Sequence, residues 1–168
     1  MMYQYRWKNN EANFGPPLKE QISGGAHITF EIILKKNNKY IALRRPKGIP
    51  EHELSPQAGK HPQGLLYFCH NLIRYGESIE QCVKRIVKEQ TGVEIKSFRI
   101  VYIESTVQEK DHQWAFTPYI IVELVSKPKK GMYGNQIIEV VEFTKENIPN
   151  DFAWWKKEEL KTFLEKFD

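Results

Sequence analysis

The chain has 168 residues, of which 40% are hydrophobic and 27% are charged. This length and composition favour one compact globular domain over two, and they argue against a largely disordered protein. The net charge of +4 is too small to distinguish ordinary solvated loops from a surface that attracts phosphate or RNA.

The sequence shows neither a membrane segment nor a secretion signal. No run approaches the roughly 18 apolar residues that a membrane helix needs, and the start, MMYQYRWKNN, has no apolar signal-peptide core. Cys69 and Cys82 have neither C-x-x-C nor zinc-ligand spacing. We therefore expect reduced thiols, no membrane partner and a cytoplasmic location.

The first part of the chain indicates β-structure. Residues 1–24 combine an alternation of Tyr3, Tyr5 and Trp7 with the irregular Gly15–Pro16–Pro17, so we expect an N-terminal arm or an edge strand there and a single domain over residues 25–168. Apolar runs on both sides of Asn37–Asn38 predict a β-hairpin over residues 27–45. The proline-rich residues 46–63 predict a long loop.

A helix is predicted in the middle of the chain, between two sets of strands. Ser78 and Gln81 fit a capping box, apolar residues then recur at helical spacing, and Gly92 is a typical helix end. The other predicted elements are strands at 65–69, 94–105, 114–125 and 137–143 and a helix at 156–166. This order predicts an α+β sandwich rather than a doubly wound parallel sheet.

Residues 71–93, NLIRYGESIEQCVKRIVKEQTGV, resemble the Nudix box, G-x5-E-x7-R-E-U-x-E-E-x-G-U, where U is aliphatic. The matching positions are Glu77, Arg85, Val87, Glu89, Gly92 and Val93, and the departures are Asn71, Ile86 and Gln90. Flanking matches at Arg44–Arg45–Pro46 and at Trp155 with Glu158–Glu159–Leu160 extend the resemblance over most of residues 27–165. The resemblance implies a Nudix-type α/β/α sandwich with a mixed sheet.

The resemblance also implies a chemistry. In the Nudix family the box glutamates bind Mg²⁺ or Mn²⁺, which bridge the diphosphate of a nucleoside diphosphate linked to another group, and water splits that diphosphate. Hard cations prefer oxygen ligands and neutralise the charge that develops. Here the helical face that should carry three carboxylates contains Ile86, Glu89 and Gln90. We therefore expect a partly lost site that binds Mg²⁺ or Mn²⁺ weakly, if at all.

The candidate catalytic residues follow from the same comparison. They are Glu89, Arg85 and Glu77, and we expect Glu77 and Arg85 to form an ion pair that ties the loop to the helix. Glu89 is the candidate metal ligand, with Glu142 as a second carboxylate from outside the box. Acidic residues at 109–112 and Glu139 are alternatives for that second carboxylate.

The candidate ligand-binding residues are basic, amide or aromatic. They are Arg44, Arg45, Tyr67, Gln90 and Trp114. Basic groups attract phosphate, and aromatic rings can stack on a base. Aromatic residues on strands also commonly form core, and that alternative stays open.

Two functions compete at this point. The first is a Nudix domain that binds a nucleotide or nucleoside-diphosphate-like ligand, or RNA, with weak or no hydrolysis. The alternative is an active Mg²⁺- or Mn²⁺-dependent hydrolase that uses Glu89 plus a carboxylate from outside the box. A third hypothesis is a domain that only binds other proteins. The box fixes neither the substrate nor whether the chain forms a homodimer.

Overall fold

A seven-stranded mixed sheet lies between two helices in this computed structural model, which describes residues 26–50, 52, 62–108, 113–131 and 137–168. The strands are β1 (Ala26–Lys36), β2 (Lys39–Arg44), β3 (Leu66–Tyr67), β4 (Cys69–Leu72), β5 (Ile95–Gln108), β6 (Gln113–Leu124) and β7 (Glu139–Phe143). The helices are α1 (Ile79–Thr91) and α2 (Lys157–Phe167). The predicted α+β sandwich is confirmed.

The sheet has the strand order β3-β2-β1-β6-β5, and β7 pairs with β2. The pair β1–β6 is parallel and the other pairs are antiparallel. Strands β1 and β2 pair only beside their turn, at Leu34–Lys36 with Lys39–Ile41. Farther from the turn, β4 pairs with the first half of β1 and β3 with the end of β2. Residues 66–72 therefore lie in the opening between β1 and β2.

Both faces of the sheet are covered, which explains the continuous apolar run in β1. Ile32 and Leu34 belong to a core cluster that includes Ile86 of α1. Ile33, on the opposite face, belongs to a second cluster that includes Leu160 of α2. Side chains alternate between faces along a strand, so odd-numbered residues of β1 point toward the α2 layer.

The predicted hairpin and the predicted helix are both confirmed, with their terminal signals. Asn37 and Asn38 have φ angles of 51° and 62°, as a two-residue hairpin turn requires. The Ser78 side chain accepts a hydrogen bond from the Gln81 amide, and Gln81 Oε1 accepts one from the Ser78 amide at 2.8 Å. Gly92 ends α1 with a left-handed φ of 73°.

The other boundaries differ modestly from the predictions. The strand predicted at 65–69 is split at Phe68 into β3 and β4, and β5 extends to Gln108. The N-terminal arm at 1–24, most of the predicted loop at 46–63 and the acidic segment at 109–112 lie outside the described residues. Among the described helices, none is long and apolar enough to cross a membrane.

Candidate functional site

Glu77 and Arg85 form the expected ion pair at the base of the box helix. Arg85 Nε donates to Glu77 Oε1 at 2.6 Å, and Nη2 donates to Oε2 at 2.8 Å, so the pair is bidentate. Arg85 Nη2 also donates to the carbonyl of Leu72, and the Arg74 amide donates to Glu77 Oε2, both at 3.0 Å. The pair therefore connects the loop after β4 to α1.

Charge stabilisation within this pair is mutual. The hydrogen bonds from Arg85 lower the pKa of the Glu77 carboxyl to about 2, and the Glu77 carboxylate raises the pKa of Arg85. Glu77 is thus ionised at neutral pH, and both of its oxygens already accept hydrogen bonds. This arrangement makes Glu77 a loop anchor and leaves it poorly suited to take a proton from water.

Ile86 occupies the position of the first helix glutamate of the box. Its side chain is 0% exposed and packs in the core cluster with Val83 and Val87. A carboxylate at this depth would lose its hydration without a partner, which costs several kcal/mol. The local environment is therefore adapted to an apolar side chain.

Glu89 is the one box-face carboxylate that this sequence keeps, and two arginines bind it. Arg74 Nη2 lies 2.9 Å from Oε1, and Arg85 Nη1 lies 3.2 Å from Oε2. The Glu89 side chain is 41% exposed. Each carboxylate oxygen of Glu89 therefore has a guanidinium donor. A metal ion that bound Glu89 would have to displace both guanidinium groups.

Gln90 makes a contact that a glutamate could not make. Its Nε2 donates to the backbone carbonyl of His70 at 2.7 Å, which joins the end of α1 to β4. Its Oε1 is buried and has no hydrogen-bond partner among the described residues. A carboxylate in this position would place two acceptor oxygens against each other unless a proton or a cation lay between them.

The described residues do not fit a Nudix-type metal site. Within residues 26–50, 52, 62–108, 113–131 and 137–168, no group of three or more His, Cys, Asp or Glu side chains could hold a metal ion. Glu142 lies opposite Ile41 beside the hairpin turn and pairs with Lys39 and Lys127. Glu89 lies toward the other end of β1, so the structure does not bring Glu142 to it.

Asn71 replaces the first glycine of the box without needing glycine-like backbone freedom. It lies in β4 opposite Phe30, and the positive-φ residues of the described chain do not include it. Asn adopts left-handed angles more readily than most other non-glycine residues, but this position does not require them.

Arg44 and Arg45 are neighbours with different environments. Arg44 pairs with Glu139 at 2.5 Å and with Asp151 at 2.6 Å, and it donates to the Gly64 carbonyl at 2.8 Å, so its charge is neutralised. Arg45 instead stacks its guanidinium 4.2 Å from the centroid of the buried Tyr67 ring. The Arg45 Nε is buried without a partner in the described part of the chain.

Arg45 lines a small cavity of about 60 Å³, which we name the arginine crevice. Its defining residues are Arg45, Ile49, Gln63, Tyr67, His70 and Trp154. The described lining residues contain a guanidinium and no carboxylate. The crevice therefore suits an anionic group, such as a phosphate oxygen.

A larger open cavity of about 470 Å³ lies on the α2 side of the sheet, and we name it the acidic cleft. Its defining residues are Glu31, His70, Glu104, Tyr119, Trp154 and Trp155. The two cavities share His70 and Trp154, whose rings meet edge to face at 5.6 Å. Burial lowers the pKa of His70, with the Arg45 charge acting in the same direction, so this shared wall is uncharged at neutral pH.

Glu31 is the most unusual side chain of the acidic cleft. It is 9% exposed, and its Oε1 accepts a hydrogen bond from Trp155 Nε1 at 3.2 Å. Burial raises the pKa of this carboxyl to about 8, against the smaller opposite effect of the Trp155 hydrogen bond. Beside it, Tyr119 donates to Glu104 Oε2 at 2.9 Å.

The sequence prediction missed Glu31, although the signal was present. A single carboxyl interrupts the apolar run Phe30–Leu34 of a strand that is buried on both faces. Conversely, the predicted ligand residue Trp114 lines neither cavity. Its indole donates to Ser105 Oγ at 2.8 Å, and its ring meets Phe116 edge to face.

Comparison with known proteins identifies the family. A model of the NUDIX domain matches residues 27–164. The chain is 29% identical over 141 residues to an NAD-capped RNA hydrolase, NudC, of Vibrio vulnificus strain CMCP6. That alignment covers 77% of this chain and 51% of the relative, so the chain spans about half of that protein's length.

Solved structures show the same fold at lower identity. A NUDIX hydrolase from Nitrosomonas europaea matches with a TM-score of 0.58 and 16% identity, covering 84% of this chain and 91% of that one. The E. coli ORF135 protein matches with a TM-score of 0.60 and 18% identity, covering 89% and 94%. The chain belongs to the Nudix family, whose members generally use Mg²⁺ or Mn²⁺ to act on nucleoside diphosphate derivatives.

Proposed function

We propose that this Nudix domain binds a nucleotide or nucleoside-diphosphate-like ligand without a resident metal ion and hydrolyses it weakly or not at all. This proposal is supported by the contacts of the three residues on the helix face of α1 that carries glutamates in a Nudix box. Glu89 is bound by Arg74 and Arg85, and Gln90 donates to the His70 carbonyl. With Ile86 in the core, the described residues leave no carboxylate cluster there to position Mg²⁺ and generate a nucleophile.

The two cavities support ligand binding. The arginine crevice offers a cationic group whose Nε lacks a partner among the described residues, and burying a charged donor unpaired is costly unless a ligand satisfies it. The acidic cleft beside it has the volume and the aromatic walls of a small-molecule site. Of the predicted ligand residues, Arg45 and Tyr67 line the crevice, while Arg44 is committed to Glu139 and Asp151.

A hydrolase is the second candidate, and the similarity to NudC favours it. That relative is named for the hydrolysis of NAD-capped RNA, so an NAD-type end on RNA is the first substrate to examine here. In this alternative, Glu89 would leave its arginines, and a carboxylate from the acidic segment 109–112, which lies outside the described residues, would join it at the metal.

The two candidates predict opposite results in one experiment. Binding and turnover are measured for NAD, ADP-ribose, nucleoside triphosphates and NAD-capped RNA, with Mg²⁺, with Mn²⁺ and with a chelator. The proposal predicts micromolar binding in chelator and no turnover above that of a mock preparation. Metal-dependent turnover that Glu89→Gln abolishes would establish the hydrolase instead, and the absence of any binding would reject the proposal.

A further inference from the structure

Two adjoining cavities in this protein carry opposite charge. The arginine crevice contains Arg45 and no carboxylate among its described lining residues. The described lining of the acidic cleft contains Glu31, Glu104 and Glu159 and no lysine or arginine. A phosphate group would be repelled by the Glu104 and Glu159 carboxylates of the cleft and attracted by Arg45 of the crevice. The pair of cavities therefore distinguishes the two ends of a nucleotide.

We propose that the acidic cleft binds the nucleobase or nicotinamide ring of the ligand. Glu31 is the residue that recognises this ring, through an uncharged carboxyl group. This inference rests on the proposed function, because it orients the same nucleotide-type ligand. The phosphate end then lies toward Arg45, on the other side of the wall formed by His70 and Trp154.

The chemistry of Glu31 fits this role. A neutral carboxyl group has one O–H donor beside an acceptor oxygen. Nucleobases and the carboxamide of nicotinamide likewise present a donor beside an acceptor, so the two groups can exchange a pair of hydrogen bonds. Trp155 fixes the orientation of Glu31 by donating to Oε1, and Tyr119 packs against Trp155 with ring centroids 5.8 Å apart. The aromatic walls add flat surfaces for a ring.

The surroundings of Glu31 explain why its carboxyl stays neutral. Among the described residues, the titratable groups that line the cleft with Glu31 are His27, His70, Glu104, Tyr119 and Glu159, and Cys69 lies on the α1 side of the sheet. None of them is a lysine or an arginine that could hold a carboxylate by charge. Burial raises the already high pKa values of Cys69 and Tyr119 and lowers the pKa of His70, so these groups are uncharged at neutral pH.

The test separates ring binding from phosphate binding. Affinities for AMP, CMP, nicotinamide mononucleotide and ribose 5-phosphate are measured with wild type, Glu31→Gln and Glu31→Leu. Glu31→Leu should weaken the tightest mononucleotide about tenfold, whereas Glu31→Gln, which keeps a donor and an acceptor, should weaken it by no more than about threefold. Ribose 5-phosphate, which lacks a nucleobase or nicotinamide ring, should bind the three proteins with equal affinity.

Two further readouts exclude a merely structural role. The affinity of the wild type for that mononucleotide should fall about tenfold per pH unit above pH 8, and the affinity of Glu31→Gln should not. The indole N–H resonance of Trp155, assigned with Trp155→Phe, should shift with the mononucleotide and stay in place with ribose 5-phosphate.

The results separate a failure of ring recognition by Glu31 from a failure of ligand binding altogether. If mononucleotides bind no more tightly than ribose 5-phosphate, or if Glu31→Leu binds them as the wild type does, the ring subsite is overturned while ligand binding stands. If Glu31→Gln loses as much affinity as Glu31→Leu, the neutral carboxyl is overturned. If neither ribose 5-phosphate nor any nucleotide binds, the proposed function itself fails.

Discussion

The side-chain amide of Gln90 donates to the backbone carbonyl oxygen of His70 at 2.7 Å, and so joins the end of the box helix to the sheet. In a Nudix box the corresponding residue is a glutamate, which can approach a carbonyl oxygen only through a bridging proton or cation. In this chain the amide N–H makes that connection directly. This hydrogen bond therefore joins the helix to β4 through a direct contact between the two residues.

Gln90→Glu should therefore create a dependence on divalent cations. In chelator, the carboxylate would face the His70 carbonyl without a donor between them, and the free energy of unfolding should fall by about 1–3 kcal/mol. Millimolar Mg²⁺ or Mn²⁺ should restore part of that loss, because a cation can bridge the two oxygens. Urea unfolding with and without Mg²⁺ measures both effects. A variant as stable as the wild type in chelator would show that the contact is unimportant.

The Glu77–Arg85 pair should contribute far more stability than an exposed pair on the same helix. Arg85→Lys cannot form the bidentate contact and should lower the free energy of unfolding by about 1.5–3 kcal/mol. The matched control is Glu80→Gln, which removes the exposed pair with Lys84 and should leave the free energy of unfolding almost unchanged. Equal losses in the two variants would contradict the anchoring role of Arg85.

Acid should weaken this anchor over a defined pH range. The pKa of Glu77 is lowered from 4.5 to about 2, so its stabilising effect is present above pH 4.5 and is lost as the pH falls toward 2. Glu77→Gln should lose less stability over that range than the wild type does. Asp168, whose pKa is also lowered to about 2, remains titratable in both proteins. Parallel pH profiles of the two proteins would refute this prediction.

Glu31 should act in the opposite direction. Its pKa is raised from 4.5 to about 8, so between these values the unfolded state releases the proton and the folded state keeps it. Stability should therefore fall by up to about 1.4 kcal/mol for each unit that the pH rises through this range. Glu31→Gln should remove that slope and match the wild type near pH 4.5. An unchanged slope in urea unfolding would show that Glu31 ionises normally.

The parts of the fold that the sequence predicts depend on local interactions. The α1 helix is bounded by Ser78 and Gly92, and its apolar period identifies the buried face. The hairpin turn at Asn37–Asn38 is equally local. Such signals lie within a few residues of each other, so they can be read without knowing the tertiary structure.

The features that the sequence did not predict depend on distant contacts. Trp155 donates to Glu31 from 124 positions away, and the burial of that carboxyl requires α2 and the sheet to be packed together. Gln90 reaches His70 across 20 positions. The separation of Glu142 from Glu89 likewise follows from the register of β7 on β2. The lone carboxyl in the apolar run of β1 indicates a buried Glu31, but none of these partner residues has a local signature in the sequence.

Calorimetric titration with NAD, in chelator and in Mg²⁺, measures whether ligand binding by this domain depends on a metal ion. We expect the same dissociation constant in both conditions, within about twofold, because the described groups that suit the ligand are Arg45 and the cleft residues. Affinity that appears only in Mg²⁺, at one metal ion per chain, would contradict it.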